Sequence, residues 1–183
     1  MNLVEALRAE HSKQQTRRIV EWVGSDPRRF AELFGVLRSG EALLEQRAAW
    51  AFGDCAEAHP GMLAPHLETM LDNLDRPGLH PAVIRASFRA LQFAAIPGPM
   101  EGRVLAAAFA ALGGAAPIAV KAYSITVARR LAEPYPELLE EARLLVESQL
   151  PGAAPAIRSR ARREFPARKS RTDMKPPRWR EEE

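Results

Sequence analysis

The stretch Ala56-Glu57-Ala58-His59-Pro60-Gly61-Met62-Leu63 returns as Ala132-Glu133-Pro134-Tyr135-Pro136-Glu137-Leu138-Leu139. Both run from a helical pattern through a proline turn into a new apolar segment. Proline has no amide donor and clashes with the preceding helical turn, so each stretch ends one helix and admits another. The helical pattern before each stretch recurs as well, and a weaker third copy lies between them, turning at Pro97-Gly98-Pro99. Two helices per copy at a spacing of ~35–40 residues predict hairpins stacked side by side, each covering the apolar flank of its neighbour. Such a chain builds a curved surface rather than a catalytic pocket.

Outward from these junctions, punctuation falls where the pattern requires it. Asn2 caps a short helix reaching Glu10, and Ser12 caps a second that carries Ile19, Val20 and Val23 to Gly24. Asp26-Pro27 pairs a capping carboxylate with proline at the first helical position. Phe30, Leu33, Phe34 and Leu37 follow at helical spacing, and Ser39-Gly40 ends that segment. Glu41 to Ala58 reads as one helix with Leu43, Leu44, Ala48, Ala51, Phe52 and Cys55 on its apolar face. Met62, Leu63, Leu67, Met70, Leu71 and Leu74 mark its partner, closed by Arg76-Pro77-Gly78. His80-Pro81 opens a third pair, in which Val83, Ile84, Leu91 and Phe93 run to Ile96. Its return helix holds Val104, Leu105, Ala108, Phe109 and Leu112 and ends at Gly113-Gly114. The fourth pair starts at Pro117, turns at Pro134-Tyr135-Pro136 and returns to Leu150. Pro155 to Phe165 is a half-copy without a return helix. No segment alternates with period two over a useful length, so no strand is expected. The expectation is an all-α domain over residues 1–165, built as about four helical hairpins plus a terminal half-repeat.

Composition agrees. Alanine, leucine and arginine dominate, which favours helix through intrinsic propensity. At 183 residues, 46% of them hydrophobic, the chain can bury a core. No run approaches the ~18 apolar residues of a membrane span, and the first residues, with Glu5 and Glu10, do not read as a signal peptide. A cytoplasmic location is the resulting expectation. The single cysteine, Cys55, excludes an intramolecular disulfide and reads as a buried, inert thiol. The net charge of +3 is unevenly spread. Residues 1–157 carry 16 Lys/Arg against 18 Asp/Glu, whereas residues 158–183 carry 10 against 5. Beyond alanine and proline, residues 166–183 offer only Met174 and Trp179 as apolar anchors, so this basic tail is expected to be disordered.

The first helices of successive pairs share a register. They read Leu44-Glu45-Gln46-Arg47, Ala82-Val83-Ile84-Arg85, Ile118-Ala119-Val120-Lys121 and Pro155-Ala156-Ile157-Arg158. A base recurs at Arg47, Arg85, Lys121 and Arg158, with gaps of 38, 36 and 37 residues. This pattern resembles the HEAT/ARM repeat, in which a Pro-x-Val-Arg-like start opens the inner helix. Pro81-Ala82-Val83-Ile84-Arg85 is the nearest match, and the resemblance covers roughly residues 12–165. The chain is also similar to small, all-helical bacterial ARM-type proteins of unestablished activity. The resemblance implies a right-handed superhelix, an α-solenoid whose inner helices line a concave face. The first copy has Gln14 where the base would stand, as suits an atypical end cap.

The repeated base has two readings. A row of cations would fit an acidic partner or a phosphate backbone; alternatively, each base bonds carbonyls or carboxylates of the neighbouring repeat, as the resemblance favours. Trp50 and Asp54, four apart, share a helix face, and Arg89 lies one turn beyond Arg85 on the next inner helix. An aromatic, a carboxylate and an arginine on adjacent inner helices resemble the HEAT-like DNA alkylation-repair glycosylases, where such groups embrace a damaged, cationic nucleotide. At the register of Phe88, however, Trp50 is expected to face the core. His59 and His66 straddle a Pro-Gly turn, and no carboxylate or thiolate joins them at zinc-like spacing, so neither a metal nor a cofactor is expected. Ser87 and Ser124 read as packing residues, with no nucleophile elbow around them.

The resulting expectation is a non-enzymatic scaffold or adaptor, contacting a protein or peptide through Arg47, Asp54, Arg85, Arg89 and Lys121 on the concave face. The alternative is nucleic-acid binding, either as a remote relative of the repair glycosylases or through the basic arm. The arm's candidates are Arg158, Arg162, Arg163, Arg168, Lys169, Arg171 and Trp179.

Overall fold

A computed structural model describes residues 1–166; the expected tail disorder, with Arg168, Lys169, Arg171 and Trp179, lies outside the described residues. Among the described residues there is no strand. The helices are α1 (Leu3–Ala9), α2 (Lys13–Val23), α3 (Pro27–Leu37), α4 (Ala42–Ala58), α5 (Leu67–Leu74), α6 (Pro81–Leu91), α7 (Gly98–Gly113), α8 (Ile118–Ala132), α9 (Pro136–Ser148) and α10 (Pro155–Glu164). A 3-10 segment, Pro60–His66, precedes α5.

The caps form as the residue types require. Asn2 Oδ1 accepts from the Glu5 amide at 3.2 Å, Ser12 Oγ from Gln15 at 3.0 Å, and Asp26 Oδ1 from Arg28 at 2.9 Å. His80 Nδ1 accepts from the Ala82 amide at 3.1 Å, so this histidine works as an N-cap. Pro27, Pro81, Pro136 and Pro155 occupy first-turn positions, where the missing amide costs nothing.

Two expected helices are shorter than their apolar patterns. The segment from Met62 to Leu74 is not one helix: its first half is the 3-10 turn, and the α-helix begins only at Leu67. Pro65 lies in that turn, lacks an amide and crowds the carbonyl four residues back, which disfavours an α-helical start. Similarly, α6 ends at Leu91 instead of running to Ile96, which leaves Phe93 39% exposed. Leu43, expected on the core face of α4, is exposed at its first turn.

First helices stack on first helices: α2 on α4, α4 on α6, α6 on α8 and α8 on α10. The second helices lie behind them, α3 against α4, α7 against α8 and α9 against both α7 and α8. The contact positions in the first row are small: Ala48, Ala51 and Ala56 on α4, Ala86 and Ala90 on α6, Ala122, Ala128 and Ala132 on α8, all buried. Alanine there lets the helix axes approach, while larger side chains fill the space between rows. One apolar cluster runs from Leu3 through Phe30, Phe52, Leu63, Val83, Leu112 and Val127 to Ile157, so no hairpin buries its own flank alone.

A second device repeats with the stack. Arg47 Nη1 donates to the carbonyls of Leu7 and Arg8 at 2.7 and 2.8 Å. Arg76 Nη1 reaches the Arg38 carbonyl at 3.4 Å. Arg130 donates to the carbonyls of Ala94 and Leu91 at 2.9 and 2.8 Å. Each arginine serves the carbonyls at the end of a helix 36 to 40 residues earlier, one repeat back. These carbonyls have no partner within their own helix, and a guanidinium fork satisfies them while opposing the negative end of the helix dipole.

Ser87 and Ser124 are fully buried, and among the described residues their hydroxyls have no hydrogen-bond partner. They are present for size. Replacing Ser124 with alanine removes a buried unsatisfied hydroxyl and improves helix propensity, so stability is expected to rise by about 1 kcal/mol. A urea-unfolding midpoint measures this; a fall in stability would show that the hydroxyl is bonded.

Candidate binding groove

The first-helix row is open along one flank, and two clefts lie on it. One, of about 390 Å³, is lined by Lys13, Thr16, Arg17 and Val20 of α2, Trp50 and Asp54 of α4, and Arg89 of α6. The other, of about 270 Å³, is lined by Trp50, Arg85, Arg89 and Tyr123 with small residues between them. They share Trp50 and Arg89, so together they form one groove across α2, α4, α6 and α8.

Trp50 is not a core residue. Its side chain is 45% exposed, whereas Phe88, its counterpart in the next copy, is buried. On α4 the core face is set by Leu44, Ala48, Phe52 and Cys55, and the 3.6-residue turn carries Trp50 to the other side, with Asp54 one turn on. The indole leans on the His11 ring, 5.3 Å between centroids. The sequence register alone could not reveal this: the matched positions Ala48 and Ala86, Ala49 and Ser87, and Phe52 and Ala90 are buried in both copies, whereas Trp50 is exposed against a buried Phe88 and Arg89 is half-buried against a buried Ala51.

Arg89 organises the groove. Its Nη1 donates to Asp54 Oδ1 at 2.7 Å and its Nη2 to Glu57 Oε2. Burial opposes the guanidinium charge, but the bonds to Glu57 and Asp54 outweigh it and hold its pKa above the ordinary arginine value. Gly53 makes the crossing possible. A Cβ there would stand 3.2 Å from Arg89 Nη1 and 3.4 Å from its Cδ, so glycine lets the arginine lie across α4.

The structure brings Asp54, Arg85 and Arg89 together with Trp50 and leaves the other two candidates apart. Arg47 is engaged with the α1 carbonyls, and Lys121 Nζ donates to Gln149 Oε1 at 2.7 Å. The base at Arg158 likewise donates to the Ala153 carbonyl at 2.7 Å. Three of the four repeated bases thus bind neutral oxygens of the fold. Arg85 alone among them is exposed with no hydrogen bond or ion pair among the described residues. Lys13 and Arg17, which the sequence did not single out, are equally exposed and add two cations at the α2 end. Their signal was present in the amphipathic pattern of α2, but nothing in sequence said which helix would flank Trp50. Tyr123 of α8 lines the far end of the groove, with the Arg160 guanidinium 5.8 Å from its ring centre.

The remaining candidates lie elsewhere. Arg162 lines a cleft between α9 and α10, and Arg163 pairs with Glu164 at 2.7 Å. Cys55 is buried, and burial, with the nearby Asp54 charge, pushes its thiol up to about 12, so it stays protonated at neutral pH. His66 packs against Phe30 and Phe34 and is part of the core wall. Among the described residues no group of three His, Cys, Asp or Glu is arranged to hold a metal ion, and no helix is long and apolar enough to cross a membrane.

Comparison with known proteins gives one match. A family model described as a HEAT repeat domain covers residues 3–166. No curated protein and no solved structure matches the chain. The match spans every helix described above, and the chain belongs to the HEAT repeat domain family.

Proposed function

We infer that this protein is a non-enzymatic scaffold whose α2–α4–α6–α8 groove holds a segment of a protein partner. The observation that carries this reading is the half-exposed Trp50, set between the free cations Lys13, Arg17 and Arg85 on a rigid helical row. An exposed tryptophan in a preformed groove is a typical anchor for a partner, because its large surface is desolvated at little ordering cost. The free cations select for acidic residues flanking the buried anchor.

One observation favours a second reading. Trp50, Asp54 and Arg89 line a single cleft, as the similarity to the alkylation-repair glycosylases requires. In that case the groove would hold a nucleotide of DNA, with the indole and the Asp54 carboxylate facing a cationic base. One experiment separates the two. Wild-type protein and the Trp50→Ala and Arg85→Glu variants are used for affinity capture from the native host, and are incubated in parallel with duplex DNA carrying an alkylated cationic base. The scaffold reading expects a protein that wild type retains and both variants lose, with no base released. Release of free base by wild type but not by Trp50→Ala would replace the first reading with the second.

A further inference from the structure

Charge along the groove changes sign twice. At its α2 wall, Lys13 and Arg17 are exposed, with no hydrogen bond or ion pair among the described residues. At its α6 wall the same holds for Arg85. Between these walls the balance is different. Arg89 is shared by two carboxylates, Asp54 and Glu57, so the three side chains together carry one negative charge. The two carboxylate side chains remain 44% and 45% exposed, so that charge reaches the open groove. Trp50 occupies the same central stretch and lines both clefts. From α2 to α6 the lining is thus two free cations, an indole beside a net anion, and one free cation.

Helix packing sets the distance between these zones. Helix α2 stacks on α4, and α4 on α6. Packed helix axes lie about 8–10 Å apart, so the α2 and α6 cations are separated by two such steps, about 16–20 Å. An extended chain advances about 3.3 Å per residue and covers that span in about five or six residues. Clefts of about 390 and 270 Å³ take single side chains. A helix with its side chains is a cylinder about 10 Å across and would lie above them. Small residues keep the passage towards Arg85 clear: Ala49, Ala82, Ala86 and Ala119 line the second cleft, and none projects beyond its Cβ.

We propose that the groove holds an extended protein segment with two acidic residues about five or six positions apart and an uncharged, apolar residue between them over Trp50. One acid meets Lys13 and Arg17, and the other meets Arg85. The Asp54–Arg89–Glu57 set repels a third acid from the middle, which gives the site discrimination as well as attraction. This rests on the scaffold reading and deepens it, by giving the partner a charge pattern and a register.

The test uses the full chain and fluorescein-labelled peptides, titrated by anisotropy at low salt. Each peptide is a Gly/Ser chain with one central leucine and two flanking glutamates, whose separation is set at about two, six or ten residues. At equal charge, the middle spacing is expected to bind about fivefold tighter than either extreme. A third glutamate in place of the leucine weakens binding despite the added charge. Trp50→Ala weakens the middle-spacing peptide, and Arg85→Glu abolishes its advantage. Exchanging one glutamate of the peptide for lysine, in one or the other order, restores binding to Arg85→Glu, a recovery that a misfolded variant could not show. Arg103→Gln, which changes an exposed arginine of α7 paired with Asp72, is the control and keeps the wild-type pattern. Three outcomes overturn the proposal: equal affinity at all spacings, affinity that rises with the third glutamate, or no binding of any peptide. The scaffold reading fails separately. A host protein captured through Trp50 and Arg85 would leave that reading standing with a different register, whereas Trp50-dependent release of an alkylated base would remove both.

Discussion

Replacing Phe52 with alanine is expected to destabilise the protein by about 3–5 kcal/mol, the largest effect of any single side chain in the stack. Phe52 is wholly buried at the centre of α4, with its ring 5.5 Å from that of Phe30 and 5.8 Å from that of Phe34. It therefore joins the first row of helices to α3 in the second. Truncation removes the transfer free energy of the ring and leaves a void that two flanking aromatics, held on another helix, fill poorly. Set against a total stability of about 5–15 kcal/mol, the loss is a large fraction of the whole. Urea unfolding followed by far-ultraviolet circular dichroism measures it. Trp50→Ala, two residues away on the same helix, is the internal comparison: a half-exposed ring is expected to cost under about 1 kcal/mol. If the two variants lost similar stability, the assignment of opposite faces to Phe52 and Trp50 would be wrong.

The second large effect concerns a carboxylate that sequence gave no reason to single out. Glu45 is 2% exposed, and its Oε1 accepts from Arg76 Nη2 at 2.6 Å and from the Gly40 amide at 2.8 Å. Arg76→Ala would leave a buried anion with a single amide donor, and breaking a pair of this kind costs about 3 kcal/mol or more. The arginine side chain is itself one-third exposed, so water can enter after truncation, and the lower end of that range is expected. The pair as such is not the source of the stability. Combining Glu45→Gln with Arg76→Met removes the charge while keeping an acceptor for Gly40, and most of the loss should return. A double variant no more stable than Arg76→Ala would mean that the arginine acts through its packing or through the Arg38 carbonyl instead.

Much of the fold was readable because its signals are local. Asn2, Ser12, Asp26 and His80 each act within a few residues of themselves, and the prolines break the chain wherever they fall. The places where sequence misled are those set by competition or by distance. The apolar run from Met62 to Leu74 suggests one helix, and Pro65 prevails over it. Trp50 and Phe88 occupy one register, yet the first is half-exposed and the second buried, although neighbouring positions such as Ala48 and Ala86 are covered alike. The groove was half legible: Asp54, Arg85 and Arg89 converge, and Arg47 bonds carbonyls of an earlier helix as one reading of the repeated base expected, but the equal spacing did not tell Arg47 and Lys121 apart from Arg85.

The arginines that serve helix ends one repeat earlier have a consequence for how the chain is made. In all three cases the acceptor precedes the donor: Leu7 and Arg8 come before Arg47, Arg38 before Arg76, and Leu91 and Ala94 before Arg130. During synthesis, which proceeds from the N-terminus, each set of carbonyls emerges from the ribosome first and waits for its guanidinium. In these three places a later segment fastens an earlier one, so assembly has a direction there: a nascent chain halted before Arg47, Arg76 or Arg130 leaves the matching helix end unfastened.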